Sequence, residues 1–236
     1  MKKLWLFLIL QLMVAPAFSS TLSDLRTNAR VLARDAGTTR QRFTDSQVNT
    51  FINEGHRDAV ATGKLLEGST SFALVSGTTY YSLPISFFQV KRVQYKNQIL
   101  DEKSPEALDN ESEGWEEVGG EPQSYFIHFA TRTKIGFQPF PNAAASTGTA
   151  KVDFYQQAGT LSSDSDTPFD AVAEFTPYHY GLSLYAAYRM LVIDGNYQLA
   201  QFYFQEWQSY LAALGVDLRM RPNYKPSVSA TRTDQP

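Results

Sequence analysis

The sequence predicts an α+β fold in which amino- and carboxyl-terminal helices form a helical bundle, a small antiparallel β-domain is inserted between them, and an extended C-terminal arm follows. Three observations carry this. Apolar spacing runs at three and four residues from Thr21 to about Gly63, falls to two from about Ser69 to Ala173, and returns to three and four beyond Pro177. Glycine and proline punctuate the middle stretch. The tail from Val216 to Pro236 holds three prolines and no period. The expected divisions are a leader at 1–20, a helical hairpin at 21–68, the β-domain at 69–173, the closing helices at 174–215 and the arm at 216–236.

Within the leader, Lys2 and Lys3 precede Leu4-Trp5-Leu6-Phe7-Leu8-Ile9-Leu10, and Ala15, Ala17, Ser19 and Ser20 follow. That is the order of a bacterial secretory signal, with cleavage expected after Ser19. The rival readings are a mis-assigned start and an uncleaved apolar arm packing on a partner subunit. Gln11 and Pro16 interrupt the run short of the roughly 20 apolar residues of a spanning helix, so no stable membrane anchor is expected.

The first helix carries Leu25, Ala29, Leu32 and Ala36 on one face, with Ser23 expected as its cap and Gly37 as its stop. In the second, Thr44 and Gln47 make a capping box, and Phe43 and Val48 occupy the positions of a hydrophobic staple. Phe72–Val75, the turn Ser76-Gly77 and Thr78–Leu83 read as a hairpin. Phe88–Tyr95 is the next strand. Its apolar residues change phase midway, which predicts a bulge near Lys91 and Arg92. Lys96-Asn97 turns the chain toward Ile99 and Leu100, and Tyr125–Phe129, Lys134–Phe137 and Lys151–Tyr155 complete a twisted sheet or partly open barrel. Pro177 opens the closing helices, Asp194-Gly195-Asn196 divides them as a turn or a kink, and Gly215 is expected to end them.

Length and composition favour folding: 236 residues, 43% apolar and 14% aromatic, suit one large domain or two small ones. A net charge of −3 argues against a surface given over to nucleic acid. With no cysteine, thiol catalysis, disulfides and cysteine metal sites are excluded. His56, His128 and His179 fall in separate segments, and the chain has no nucleophile elbow, phosphate-binding loop or dinucleotide fingerprint. No catalytic, cofactor-binding or metal-binding residues are therefore assigned, no cofactor is expected, and the protein is not read as an enzyme. Asp164-Ser165-Asp166 is read as a turn in preference to a cation loop.

Residues 101–121 contain nine acids and one lysine, a net of −8. This stretch is expected to be a solvated loop, with repulsion of DNA in a channel or attraction of a basic partner as alternatives. Trp115 within it is either a core plug or a partner anchor. Arg30, Arg34, Arg40 and Arg42 concentrate positive charge without an aromatic platform for single strands. The aromatic run through Phe204, Trp207 and Tyr210 is read as helix core, with a subunit interface as the alternative.

Several segments in order resemble the head-to-tail adaptor, or connector, proteins of tailed bacteriophages. They are Arg42-Phe43-Thr44-Asp45-Ser46-Gln47-Val48-Asn49-Thr50-Phe51-Ile52-Asn53, then Gly120-Glu121-Pro122-Gln123-Ser124-Tyr125, then Ile135-Gly136-Phe137-Gln138-Pro139-Phe140-Pro141. Val152-Asp153-Phe154-Tyr155-Gln156-Gln157 and Leu161 through Phe169 follow, and then Tyr178-His179 and Ala200 with Tyr203. The resemblance implies head completion by a homo-oligomeric ring, commonly of twelve copies. It would join the portal protein to the tail tube, nozzle or other tail proteins, with double-stranded DNA passing through its channel during genome ejection. It places a portal-docking arm at Arg219, Met220, Arg221, Pro222, Tyr224 and Lys225 and a subunit interface at Phe204, Trp207 and Tyr210, with Trp115 as a further anchor. The implied location is the virion, assembled in host cytoplasm. A working leader implies instead an exported periplasmic or surface partner-binding protein.

Overall fold

The computed structural model describes residues 20–37, 41–128, 131 and 133–219. In chain order they form α1 (Leu22–Leu32), α2 (Asp45–Gly63), β1 (Glu67–Ala73), β2 (Tyr80–Ser82), β3 (Phe87–Tyr95), β4 (Gln98–Ile99), β5 (Asp101–Glu102) and α3 (Pro105–Glu111). There follow β6 (Gly119–Gly120), β7 (Ser124–Ile127), β8 (Lys134–Gln138), β9 (Phe140–Pro141), β10 (Thr149–Gln156), α4 (His179–Ile193) and α5 (Tyr197–Arg219). The fold is α+β. Contacts gather the chain into two units, one from the residues up to Ile52 with Leu161–Tyr210, the other from Asn53–Thr160 with the residues after Tyr210. The sequence had placed these divisions at 68/69 and 173/174.

In the helical unit, Thr21 rather than Ser23 caps α1. Its Oγ1 accepts from the Asp24 amide at 3.3 Å while its own amide donates to Asp24 Oδ2 at 2.9 Å. The amides of Leu22 and Ser23 donate to the carbonyls of Asp166 and Asp164, at 2.8 and 3.2 Å. Those carbonyls are presented by a turn closed on the Asp166 carboxylate, which accepts the amides of Ser162 and Ser163 at 2.7 and 2.8 Å. Asp164-Ser165-Asp166 is thus a docking turn for the start of α1, which explains why Leu161–Phe169 groups with the helices. Phe169, Asp170 and Ala171 then run with φ of 56°, 52° and 57°, a left-handed turn that L-residues rarely sustain over three positions. Burial of Phe169 against Phe175 and His179 holds it.

Helix α1 ends before Gly37. Arg34 takes the left-handed position at φ 58°, its amide donates to the Val31 carbonyl at 3.1 Å, and the Asp35 amide reaches back to the Arg30 carbonyl at 2.8 Å. This is a Schellman closure, in which the two closing residues usually share an apolar contact. Here they share an ion pair: Arg30 Nη1 lies 2.6 Å from Asp35 Oδ2, and both side chains are buried. Arg30 Nη2 also donates to the Phe43 carbonyl at 3.0 Å and to Asp45 Oδ1 at 2.7 Å. Asp35 Oδ1 accepts the Arg42 amide at 2.7 Å, and the Arg42 guanidinium bonds Asp194. The capping box of α2 forms as expected, with Thr44 and Gln47 exchanging bonds at 2.8 and 3.2 Å over a buried Phe43 and Val48. Ser183 of α4 donates to the buried Leu25 carbonyl of α1 at 3.1 Å. Asp194-Gly195-Asn196 is a turn and not a kink: Gly195 is left-handed, the Asn196 amide closes α4, and its carbonyl and side chain begin α5. Helix α5 runs through Gly215 to Arg219; a helical glycine costs only about 1 kcal/mol, too little to stop a helix of this length.

In the other unit, β1-β10-β3-β4 and β2-β8-β7-β5 form two four-stranded sheets, beside a short β6-β9 ladder. Pairing is antiparallel except for β5 with β7 and β6 with β9, which are parallel. The expected hairpin is not one. The turn at Ser76-Gly77 forms, but β1 pairs with β10 and β2 with β8, so the chain there changes sheets. Inward residues of both sheets meet in one core that includes Val93, Val152 and Phe154 from the first and Tyr81, Ile135 and Phe137 from the second. The bulge falls where expected: between Asp153 and Phe154 the register with β3 shifts, leaving Lys91 unpaired beside Arg92. The acidic stretch is not a plain loop either. Ser104 caps α3, with Pro105 in its first turn, and a 3-10 turn follows at Trp115–Glu117.

Replacing Asp35 with alanine strands Arg30 and is expected to destabilise the fold by about 3 kcal/mol. Urea denaturation measures this, and a loss below about 1 kcal/mol would mean the pair does not clamp the α1–α2 connection.

Candidate assembly surfaces

Aromatic residues spaced along α4 and α5 meet ring to ring. Tyr180 faces Tyr210 at 6.2 Å, Tyr185 faces Trp207 at 5.6 Å and Tyr188 faces Phe204 at 4.8 Å. Gly181 makes room for this: a Cβ there would sit 3.1 Å from the Trp207 ring. Trp207 is 3% exposed, while Phe204 and Tyr210 are half-buried. The apolar side chains that these helices leave in solvent include Tyr180, Ile193, Tyr197, Phe202 and Val216, which spacing did not distinguish from core. Burial raises the hydroxyl pKa of Tyr180 and Tyr210, with neighbouring phenols adding to it at Tyr180 and Glu206 at Tyr210.

In the sheet unit, strand alternation turns Tyr80, Gly136 and Phe126 away from the core shared by the two sheets. Trp115 and Leu108 pack on Phe126, with the Trp115 and Phe126 rings edge to face at 5.1 Å. Gly136 is required beneath them, because a Cβ would fall 2.3 Å from the Phe126 ring. Trp115 Nε1 donates to Asp109 Oδ1 at 2.7 Å. The core alternative therefore describes Trp115, which is 4% exposed. Around it all nine acids of residues 101–121 are exposed. Some have partners: Glu111 bonds Lys103, Glu121 takes Lys96 at 2.5 Å, and Glu102 accepts from the Tyr125 hydroxyl at 3.3 Å. Burial, then Glu102, pushes the Tyr125 hydroxyl far up.

Among the described residues no three His, Asp or Glu side chains converge as metal ligands, and no helix is long and apolar enough to cross a membrane. His56 lies buried in α2, His128 stands against Tyr80 at 5.1 Å, and His179 is buried beside Phe169 at 5.6 Å. Two of the four arginines are engaged in ion pairs, buried Arg30 with Asp35 and Asp45 and exposed Arg42 with Asp35 and Asp194. Arg34 is exposed, and Arg40 lies outside the described residues.

Among the described residues, what distinguishes this architecture is packing and charge arranged on surfaces. A family model described as SU10 adaptor protein matches residues 20–231. The chain belongs to the SU10 adaptor protein family. No curated protein matches it. As an SU10 adaptor it is a structural protein of phage, in line with the head-to-tail adaptor resemblance of its sequence segments.

The adaptor segments have physical roles in this SU10 chain. The Arg42–Asn53 segment supplies the staple and capping box of α2, Leu161–Phe169 docks the start of α1, and Ile135–Pro141 contains the glycine beneath Phe126. Of the arm residues, Arg219 ends α5, while Met220, Arg221, Pro222, Tyr224 and Lys225 lie outside the described residues, as does the leader up to Ser19. The last turns of α5 and the end of α2, at Thr62, Gly63, Leu211, Leu214 and Val216, line a groove of about 470 Å³.

The His179 imidazole is pushed down to about 4 by burial, the Ser20 backbone opposing weakly. The unfolded chain takes up that proton near pH 6.5 and the folded protein does not until about pH 4. Stability from this group is therefore full above 6.5 and declines as pH falls between those values. Hydrogen bonds from Thr21 to Asp24, and from Ser163 and Ser162 to Asp166, lower both carboxyl pKa values, so their losses come below the ordinary 3.8. The melting temperature should drop as pH is lowered from about 6.5 to 4.5, and His179→Gln should flatten that slope in calorimetric scans. An unchanged slope in the variant would assign the decline to other groups.

Proposed function

We propose that this SU10 adaptor completes the phage head by forming a closed ring, of about twelve copies, between the portal protein and the tail. The observation that carries the reading is the family match over residues 20–231. The helices, brought together as a bundle, form the ring wall. Their contacts between copies come from the outer edges of Phe204 and Tyr210 and from exposed Tyr197 and Phe202, since Trp207 and Trp115 have little surface left to offer a neighbour. The channel gives DNA a continuous path from head to tail, and tail proteins seat on the opposite side from the portal. Closed symmetry lets many modest contacts reinforce one another, so no catalytic step is needed.

Residues 216–236 act as the portal-docking arm, with Arg219, Met220, Arg221, Pro222, Tyr224 and Lys225 as its contacts. An arm carrying prolines loses less entropy on ordering, and the portal surface offsets the remainder. The first arm residues, through Arg219, continue α5.

Full-length protein and a form lacking residues 220–236 separate these claims. Light scattering should give both a ring mass near twelve chains, and portal pull-down should weaken at least tenfold for the shortened form. Equal portal binding by the two forms removes the arm, and a monomer at every concentration removes the ring. Recovery of a leader-free monomer from periplasm would favour the exported reading.

A further inference from the structure

The sheet unit carries opposite charge on its two outer faces. On the β1-β10-β3 sheet, Lys151, Asp153 and Tyr155 alternate with buried Ala150, Val152 and Phe154, so the first set faces solvent. The bulge in β3 sets Lys91 and Arg92 side by side on that same outer face. Lys91 Nζ lies 2.6 Å from Glu67 Oε1 and 5.8 Å from the Tyr155 ring, and Lys64 Nζ lies 5.3 Å from the same ring. Arg92 and Lys151 share Asp153, at 2.6 and 3.4 Å. Burial disfavours the Asp153 carboxylate, but bonds from Arg92, Ser69 and Lys151 together hold its pKa low. Four cations therefore face two carboxylates, an excess of positive charge.

The other outer face, behind Phe126, is covered by α3 and the Trp115 turn. Glu106, Glu113, Glu116 and Glu117 stand exposed there with no cation bridging them among the described residues. Because the core lies between the two sheets, the acidic and basic layers are on opposite sides of one unit and cannot neutralise each other. At physiological ionic strength such fields are felt over about 8 Å, so each layer acts on surfaces brought close to it.

We infer that the acidic Glu113–Glu117 face of one copy docks on the Lys91/Arg92 sheet face of the next copy in the ring. This rests on the ring reading above and adds its polarity. A head-to-tail contact joins two different patches of the same chain, and closes a ring when the rotation between copies allows. Two complementary faces on opposite sides of one rigid sandwich meet that requirement, whereas a two-fold pair would place like charge on like. Such complementarity sets register and speeds encounter more than it adds affinity. Double-stranded DNA is the competing occupant of the basic face, since phosphates would take the same lysines and arginine.

Charge exchange between the faces tests the contact. Lys91→Glu/Arg92→Glu makes both faces acidic, and Glu116→Lys/Glu117→Lys cancels the charge of the four unbridged glutamates and sets two cations at the docking patch; all four substituted side chains are exposed, so circular dichroism should report intact folds. Native mass spectrometry and light scattering should then give wild-type rings, at least tenfold weaker assembly of either variant alone, and restored rings in their equimolar mixture. The milder Lys91→Gln/Arg92→Gln should shift assembly in the same direction, with a smaller effect in high salt. Wild-type assembly by both reversed variants, or no rescue on mixing folded variants, overturns the contact while leaving the ring reading intact. Rings of unchanged mass that lose retention of duplex DNA in the Lys91→Glu/Arg92→Glu variant would also overturn it, giving that face to DNA. A wild-type protein that never assembles would instead sink the ring reading.

Discussion

The buried pair of Arg30 and Asp35 is the constraint on which the helical unit depends. Two opposite charges taken from water are tolerated only when every remaining donor and acceptor is satisfied. Arg30 therefore collects the Phe43 carbonyl and Asp45, and Asp35 collects the backbone and guanidinium of Arg42. Satisfying this one pair fixes where α1 ends, where α2 begins and how the chain between them returns. The same arginines, read as charges in a string, showed only a local concentration of positive charge. In the fold, Arg30 and Arg42 are structural.

A second constraint acts at the start of α1. Its first amides have no partners within the helix, and the Ser162–Asp166 turn supplies two carbonyls for them. A helix near the amino end is thereby joined to a turn far along the chain, and Ser183 adds a third link through α4. The sheet unit solves a different problem. Two small sheets cannot each bury a face alone, so they share one core, and the outer face with Phe126 receives a cover of its own from Trp115 and Leu108. That cover holds most of the acids, while the opposite sheet face stays open and basic. An adaptor can carry specificity in such faces.

Much of the fold was legible in the residues. The Thr44–Gln47 box, the Phe43–Val48 staple, the Lys96-Asn97 turn and the bulge at Lys91 and Arg92 are local patterns, and each formed. The Ser104-Pro105 start of α3 was equally local but was masked by the density of acids around it. The errors share a cause. Ser23 and Gly37 are good terminators by residue type, yet Thr21 and Arg34 mark the ends of α1, because the Asp164 and Asp166 carbonyls and the Asp35 carboxylate favoured those positions, and Gly215 lies within α5. Phe72–Leu83 looked like a hairpin since turn and strands were all present, and only pairing partners elsewhere in the chain separated its two arms into different sheets.

The sequence by itself determined the α+β order of elements, the absence of thiol chemistry and the segments that mark an adaptor, because period, composition and short motifs are properties of neighbours along the chain. Only the tertiary structure decided that Trp115 and Trp207 are spent in packing, that Arg30 and Arg42 hold a clamp, and that acidic and basic layers lie on opposite sides of one sandwich. Burial and charge pairing depend on which distant residues arrive at the same place, and no spacing in a linear chain records that.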